Sequence, residues 1–343
     1  MEIFIDLHGM RVEQGLWSPA GSEFRQSMNW AKLLAENGHE ITCWCSAPCG
    51  WGSMPPVNNV RLVYTNEYFN TDYDIFINTH LNPNKNVKAR LKMQMSFSIG
   101  AVNAFSYDFN VNEWVVVYPL EQLNSKGGFF SKEERALNNY KIEFLPLPIS
   151  NEMRSSNPDS NLLLWSCKTG VQRSDELPFR SMIEFLKKYN VESTILQSQN
   201  FHMYNQSESD RNKVKQELAS LPRQPRMLNQ IDYKDVLDLF ATARLNLHSG
   251  AWGLNLTESI VRGVLPPPIN TGVHVSMFGH IDNKFYKEPY SQDVNVVVEN
   301  WGRLISDKSF YSEVLSEYQK DFQPHLYASC MEHFNNILKK YFN

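Results

Sequence analysis

The chain has 343 residues, of which 42% are hydrophobic and 13% aromatic, which suits two domains of ordinary size better than one small core. Its formal net charge of -4 and pI of about 6.2 advertise no strongly basic face, so composition gives no support to nucleic-acid binding. Five cysteines (Cys43, Cys45, Cys49, Cys167 and Cys330) in no regular framework point to a reducing compartment rather than a disulfide scaffold.

MEIFIDL reads as a buried strand, without the basic start and long apolar run of a signal peptide. No stretch approaches the roughly 18 apolar residues of a membrane span. A soluble, cytoplasmic protein is expected, and the sequons at Asn205 and Asn255 are then chance matches. HGMRVEQGLWSPAGS is rich in Gly, Pro and Ser and reads as a loop, after which Ser22 makes an N-cap for FRQSMNWAKLLAEN. Phe24, Met28, Ala31 and Ala35 share one face of that helix; Gly38 ends it, and HEITCWC is the next strand. A strand, loop, helix and strand in this order imply a parallel sheet. Cys43 and Cys45 alternate as strand residues do and read as buried thiols.

RLVYTN, DIFINT, LKMQMSFS, EWVVVYPL and KIEFLPLPI are further strands. Asp72-Tyr73-Asp74 spells a DxD, a pattern that can bind a metal ion, but it reads here as the turn before a strand. LPLPIS with NEMRSSNPDS looks like a linker. A second alternating half follows: strand LLLWSC, helix PFRSMIEFLKKYN, strand ESTILQS, helix YKDVLDLFATA, strand RLNLHSG, helix TESIVRGV and strand PPPINT. The segment from Ser309 to Phe342 is helical and aromatic. The expected architecture is α/β, with two Rossmann-like domains whose parallel sheets face a cleft. The expected divisions are 1–150, 151–322, and a terminal helix over 323–343 that returns to the first domain.

In such sheets ligands sit at the C-terminal ends of the strands. The helix beginning near Leu254 offers its N–H groups and dipole to an anion, and Gly250 and Gly253 let backbone come close to a ligand. Glu258 lies one turn inside; its carboxylate either holds a vicinal diol such as a ribose or only complements the helix dipole. The loop KTGVQR supplies Lys168 and Arg173, which can neutralise a diphosphate or form a merely solvated basic loop. Ribose clamp, phosphate clamp and helix dipole together form a constellation for a nucleoside diphosphate. In the first half, SPAGSE leads into a helix without a GxGxxG, so a nicotinamide reading is weak. His80 ends DIFINTH, either as a contact to a sugar or as a strand-end polar residue.

The stretch DLFATARLNLHSGAWGLNLTESIVRGVLPPPINTG resembles the GT-B glycosyltransferases, above all the retaining family-4-like type that uses nucleotide sugars. It carries their W/F-Gly-Leu, Glu-Ser/Ala, helix-ending Gly and Thr-Gly in order. AGSEFRQSMNWAKLLAENGHEIT resembles the start of their first domain. The resemblance implies that Glu258 binds the donor ribose and that Lys168 and Arg173 bind the diphosphate. It also implies that Leu254 and Asn255, after Gly253, present backbone N–H groups, and that Gly21 and Ser22 line the donor site. No metal or other cofactor is implied beyond the donor itself, and in a retaining enzyme the leaving phosphate can take the acceptor's proton. One departure stands out: the family's earlier glutamate, eight positions before the second, falls at Gly250, so the sugar is not defined.

KTGVQRSDELPFRSMIEFL is also similar to a segment of the T-even phage DNA glucosyltransferases. Their inverting type uses an aspartate base at a first-domain strand end. The matching position, around Ser98, is not acidic; Asp108, Glu113 and Glu121 are the nearby carboxylates. The expected acceptor is therefore a glycan hydroxyl or a hydroxymethylated base in phage DNA, with Trp17, Trp51, Phe69 and Tyr107 available to line a pocket for a flipped base. A nucleotide-sugar epimerase and a non-catalytic nucleotide-sugar binder are the readings from other classes.

Overall fold

A computed structural model of the chain describes residues 1–7, 22–45, 57–79, 87–95, 113–118, 141–149, 160–166, 176–197, 207–229, 231, 233–248 and 254–342. The chain divides into two compact units, Met1–Asn151 with Pro324–Asn343, and Glu152–Gln323.

The first unit holds a parallel sheet of seven strands: β1 (Glu2–Asp6), β2 (Glu40–Trp44), β3 (Val60–Val63), β4 (Asp72–Asn78), β5 (Lys88–Met95), β6 (Trp114–Tyr118) and β7 (Lys141–Phe144). Their order is β3-β2-β1-β4-β5-β6-β7, a Rossmann order in which the sheet reverses direction between β1 and β4. Ile3, Phe4 and Ile5 are 0% exposed, as expected of a parallel strand covered on both faces. Helix α1 (Ser22–Glu36) lays Met28, Ala31 and Ala35 on one of these faces, beside Cys43 and Cys45. Gly38 (φ +83°) closes the helix: its own N–H reaches the Ala35 carbonyl at 3.0 Å, and the N–H of His39 reaches that of Leu34 at 3.2 Å. Ser22 is already the first helical residue, one position beyond its expected role as N-cap.

The second unit has the strands β8 (Leu162–Trp165), β9 (Glu192–Gln197), β10 (Arg226–Asn229) and β11 (Leu245–Leu247), again all parallel, in the order β10-β9-β8-β11. Its helices are α2 (Leu177–Lys188), α3 (Glu208–Ala219), α4 (Tyr233–Thr242), α5 (Leu254–Val261), α6 (Gly272–Phe285), α7 (Val294–Ser306) and α8 (Lys308–Phe322). The fold is GT-B: a mixed α/β chain with two Rossmann-like parallel sheets.

Several elements differ from the sequence expectation. PPPINT does not form a strand. Only Leu265 bridges to Leu245, because the three prolines after it have no N–H with which to extend a ladder. Asp72 and Asp74 lie inside β4 rather than in a turn before it. The final helical segment breaks at Pro324: α8 ends at Phe322, and α9 (Tyr327–Tyr341) packs Cys330, Phe334 and Ile337 into the core of the first unit. Phe69 is a core residue, 4.9 Å from Trp44 and 5.8 Å from Phe4 between ring centroids, and is not free to line a base pocket. Glu113 precedes β6, at the N-terminal edge of the sheet, where it pairs with Lys92 at 3.8 Å, so it is misplaced for a base at a strand's C-terminal end.

Candidate functional site

In the second sheet the strand order reverses between β8 and β11. β9 and β10 succeed β8 on one side, while β11 returns to its other side. The crevice beyond the C-terminal ends of these two strands is where an open α/β sheet takes its ligand. β8 leads through Ser166 into the segment carrying Lys168 and Arg173, and β11 leads through His248 into α5. The two loops singled out by sequence thus leave from adjacent strands.

Lys168, Arg173 and Gly253 lie outside the described residues, as do Gly21 and His80 of the first unit. Leu254 and Asn255 are the first two residues of α5, where backbone N–H groups have no intrahelical acceptor. Glu258 is one turn further on and 1% exposed. Leu256, Ile260 and Val261 on the same short helix are also buried, so α5 is held inside the unit rather than laid on its surface.

The helix ends as the sequence indicates. Gly263 has φ +85°; its N–H reaches the Ile260 carbonyl at 3.0 Å, and the N–H of Val264 reaches that of Ser259 at 2.9 Å. This double closure needs a left-handed residue, which glycine supplies without a Cβ penalty. A buried phenol then ties the exit of the helix to the strand. The Tyr311 hydroxyl lies 2.7 Å from the Arg244 carbonyl and 2.8 Å from that of Gly263, and accepts from the Leu265 N–H at 3.3 Å. Burial raises the pKa of Tyr311, so it remains a donor. The position of α5 is thereby coupled to β11.

Sequence reasoning passed over the polar side chains at the strand ends. The Ser166 hydroxyl donates to Asn246 Oδ1 at 2.7 Å, and both residues are buried. Asn246 and His248 are two residues apart and share one face of the strand and its extension. Three of the buried side-chain atoms without a hydrogen-bond partner among the described residues lie here: Asn246 Nδ2, His248 Nδ1 and, on α5, Thr257 Oγ1. The signal available was a histidine and an asparagine inside an otherwise apolar strand, directly before a glycine-bearing loop.

His274, in the first turn of α6, is held by a buried hub: its Nε2 lies 3.1 Å from Asp282 Oδ2. The hydroxyls of Tyr290 and Tyr318 donate to the same carboxylate, each at 2.6 Å. Burial, with the adjacent Asp282 charge, pushes both phenol pKa values up and keeps the donors protonated.

The first sheet has its own reversal between β1 and β4. There Asp6 (2% exposed), Asn78 and Gln94 (both 0%) form a buried row, with Asn78 Nδ2 donating to Gln94 Oε1 and the Thr79 hydroxyl donating to the Asp6 carbonyl at 2.6 Å. Asp72 and Asp74 of the DxD sit at the opposite end of β4, where Asp74 accepts from the Glu2 N–H at 3.0 Å and pairs with Arg90 at 3.7 Å. Among the described residues no group of three His, Cys, Asp or Glu side chains could hold a metal ion, and no helix is long and apolar enough to cross a membrane.

No protein-family model matches the chain, and no curated protein matches it. Solved structures do. Anabaena HepE in complex with UDP-glucose is 11% identical, with 99% of this chain and 100% of that chain covered at a TM-score of 0.62. WaaG, a glycosyltransferase involved in lipopolysaccharide biosynthesis, is 13% identical over 97% of this chain and 98% of that chain, with a TM-score of 0.58. An α-glucosyltransferase in complex with UDP-glucose and DNA containing an abasic site is 12% identical over 99% of both chains, with a TM-score of 0.57. At such identities the likeness establishes the fold: the match runs through both units, and the architecture is that of the GT-B glycosyltransferases.

Proposed function

We propose that this chain is a glycosyltransferase that moves a sugar from a nucleoside-diphosphate sugar to a hydroxyl acceptor. The observation that carries the reading is the second sheet's switch point between β8 and β11, with α5 following β11 in the chain and Glu258 buried one turn inside that helix. In this reading Glu258 accepts from the ribose hydroxyls while the N–H groups of Leu254 and Asn255 hold phosphate. Lys168 and Arg173 neutralise the diphosphate as it departs, so catalysis rests on stabilising the leaving group. No metal is assigned a part. Three buried cysteines outside any disulfide, Cys43, Cys45 and Cys330, support a reducing cytoplasm as the compartment.

Two acceptors are supported by the likenesses in fold: a glycan, as for the glycosyltransferase of lipopolysaccharide biosynthesis, and a hydroxymethylated base, suggested by the DNA-bound α-glucosyltransferase. The test is transfer itself. The protein is incubated with a mixture of nucleotide sugars and duplex DNA carrying hydroxymethylcytosine, and the digested nucleosides are weighed by mass spectrometry, with Glu258→Ala alongside. A hexose or pentose mass on the base, lost in the variant, establishes DNA as the acceptor. Nucleoside diphosphate released by the wild type alone, over an unmodified base, moves the acceptor to a glycan. A donor converted to an isomer without release makes the chain an epimerase. No turnover with any donor refutes the enzyme reading and leaves a nucleotide-sugar binder.

A further inference from the structure

Of the three buried histidines among the described residues, two have their rings tied into the fold. His274 is held by Asp282, and His325 Nδ1 accepts from the Leu147 N–H at 3.0 Å. His248 differs: it is 9% exposed, yet its Nδ1 is buried with no hydrogen-bond partner from any other described residue, its own backbone being the one hydrogen-bonding group against the ring. A buried polar group left unpaired costs about 1–3 kcal/mol, so native structures rarely keep one without a use. The location makes the use specific. His248 follows the last residue of β11, at the switch point and directly before the segment that opens α5. Asn246, on the same face, adds a second buried unpartnered atom, its Nδ2, while its Oδ1 is fixed by Ser166.

We propose that His248 is a hydroxyl-reading residue of the donor site, and that it contacts the transferred sugar rather than the diphosphate. The inference rests on the donor-binding reading above and deepens it. The choice of sugar over phosphate follows from the protonation state of the ring. Burial, with His274 nearby, holds the pKa of His248 down to about 4, so the imidazole is neutral near pH 7. A neutral imidazole presents one donor and one acceptor, the complement of a hydroxyl, whereas phosphate oxygens only accept and are better served by cations. In the donor reading the cations for the diphosphate are Lys168 and Arg173, on the segment that follows β8 in the chain. The strand contributes a neutral pair, Asn246 and His248, where the position two residues further on, Gly250, has no side chain to offer.

The test compares UDP with UDP-glucose as probes, by calorimetric titration of the wild type, His248→Ala and His248→Asn. The alanine variant is expected to bind UDP-glucose about tenfold more weakly, the worth of one good hydrogen bond, and to bind UDP within twofold of wild type. The asparagine variant, which keeps a donor and an acceptor, is expected to recover part of the loss. Equal weakening towards both probes, or no weakening towards either, overturns the assignment while the donor reading stands. A wild type that binds neither probe, nor the guanosine and thymidine counterparts, removes the donor reading and this proposal with it. Thermal unfolding of each variant identifies any that fails to fold, and Asn, close to His in size and polarity, serves if Ala does not.

Discussion

Replacing Glu258 with glutamine isolates the ribose contact from the packing of α5. The two side chains have nearly the same volume, and the helix around Glu258 is closed by Leu256 (3% exposed), Ile260 and Val261 (both 0%), so the variant should keep its place. What changes is charge and one acceptor. A ribose diol donates to both oxygens of a carboxylate, but an amide offers it only one acceptor and an N–H that competes. A hydrogen bond to a charged group is worth about 1.5–3 kcal/mol, so UDP affinity should fall by roughly ten- to 150-fold. The carboxylate lies about 6 Å along the helix axis from Leu254, close enough for a single nucleotide to reach both it and the N-terminal N–H groups. Titration with UDP and with its 2′,3′-dideoxy form makes the measurement specific. The wild type should lose affinity when the hydroxyls are removed, and Glu258→Gln, which keeps one acceptor, should lose much less. A variant that weakens both nucleotides by the same factor would refute the ribose role and leave Glu258 as a complement to the helix dipole.

Arg173→Ala and Lys168→Ala should each lower turnover with a nucleotide-sugar donor by tenfold or more, and raising the salt concentration should weaken donor binding less in the variants than in the wild type. Steady-state rates across a salt series check this; unchanged rates would make the KTGVQR segment a solvated basic loop. Gly263→Ala forces a side chain onto φ +85° and should cost the second unit about 1–2 kcal/mol. A lower urea midpoint is the expected sign, and an unaltered midpoint would contradict the strain argument. Tyr311→Phe strips a hydroxyl from the Arg244 and Gly263 carbonyls and the Leu265 N–H, with an expected loss of about 1–3 kcal/mol. Because those contacts tie α5 to β11, UDP binding should weaken alongside stability; a stability loss with UDP affinity intact would separate this anchor from the site.

Much of the architecture was legible because buried parallel strands leave continuous apolar runs. IFI, ITCW and LLLW each declare a strand, and the helices between them carry a clear apolar face. The start of α5 near Leu254 and its end at Gly263 were also readable, since the N-terminal and C-terminal chemistries of a helix differ. The omissions have physical causes. α3 is exposed nearly all round and is specified mainly by its Ser207 cap, which accepts from the Asp210 N–H at 3.1 Å, so no apolar stripe announces it. α7 opens with a run of valines that reads as strand, but Asp293 caps it, accepting from the Asn295 N–H at 2.8 Å, and Val297, Val298, Trp301 and Leu304 bury a helical face. PPPINT reads as a strand from its place after a helix in an alternating chain, but three of its six residues lack the N–H a ladder needs. At the site, the charged and glycine residues were conspicuous in sequence, whereas Asn246 and His248 left only the weaker signal of polar residues in and just after an apolar strand, which burial and a missing partner then sharpen.

The two sheets suggest why an identity of 10 to 13% still suffices for one fold. A doubly wound sheet demands apolar runs, right-handed crossovers and helix-ending glycines, and many sequences meet those demands. Its ligand position follows from the strand order alone, because the order must reverse somewhere and the crevice forms there. Both reversals in this chain carry buried polar side chains, which a packing optimum would avoid. In the first unit Asp6, Asn78 and Gln94 make a row whose amide groups bond to each other. In the second, Asn246, His248 and Thr257 keep polar atoms unsatisfied among the described residues. Stability alone would favour apolar replacements at both places. Retaining polarity at the two points the topology reserves for ligands, and leaving it unsatisfied beside α5, is the pattern of a fold that gives up packing energy to hold a polar ligand.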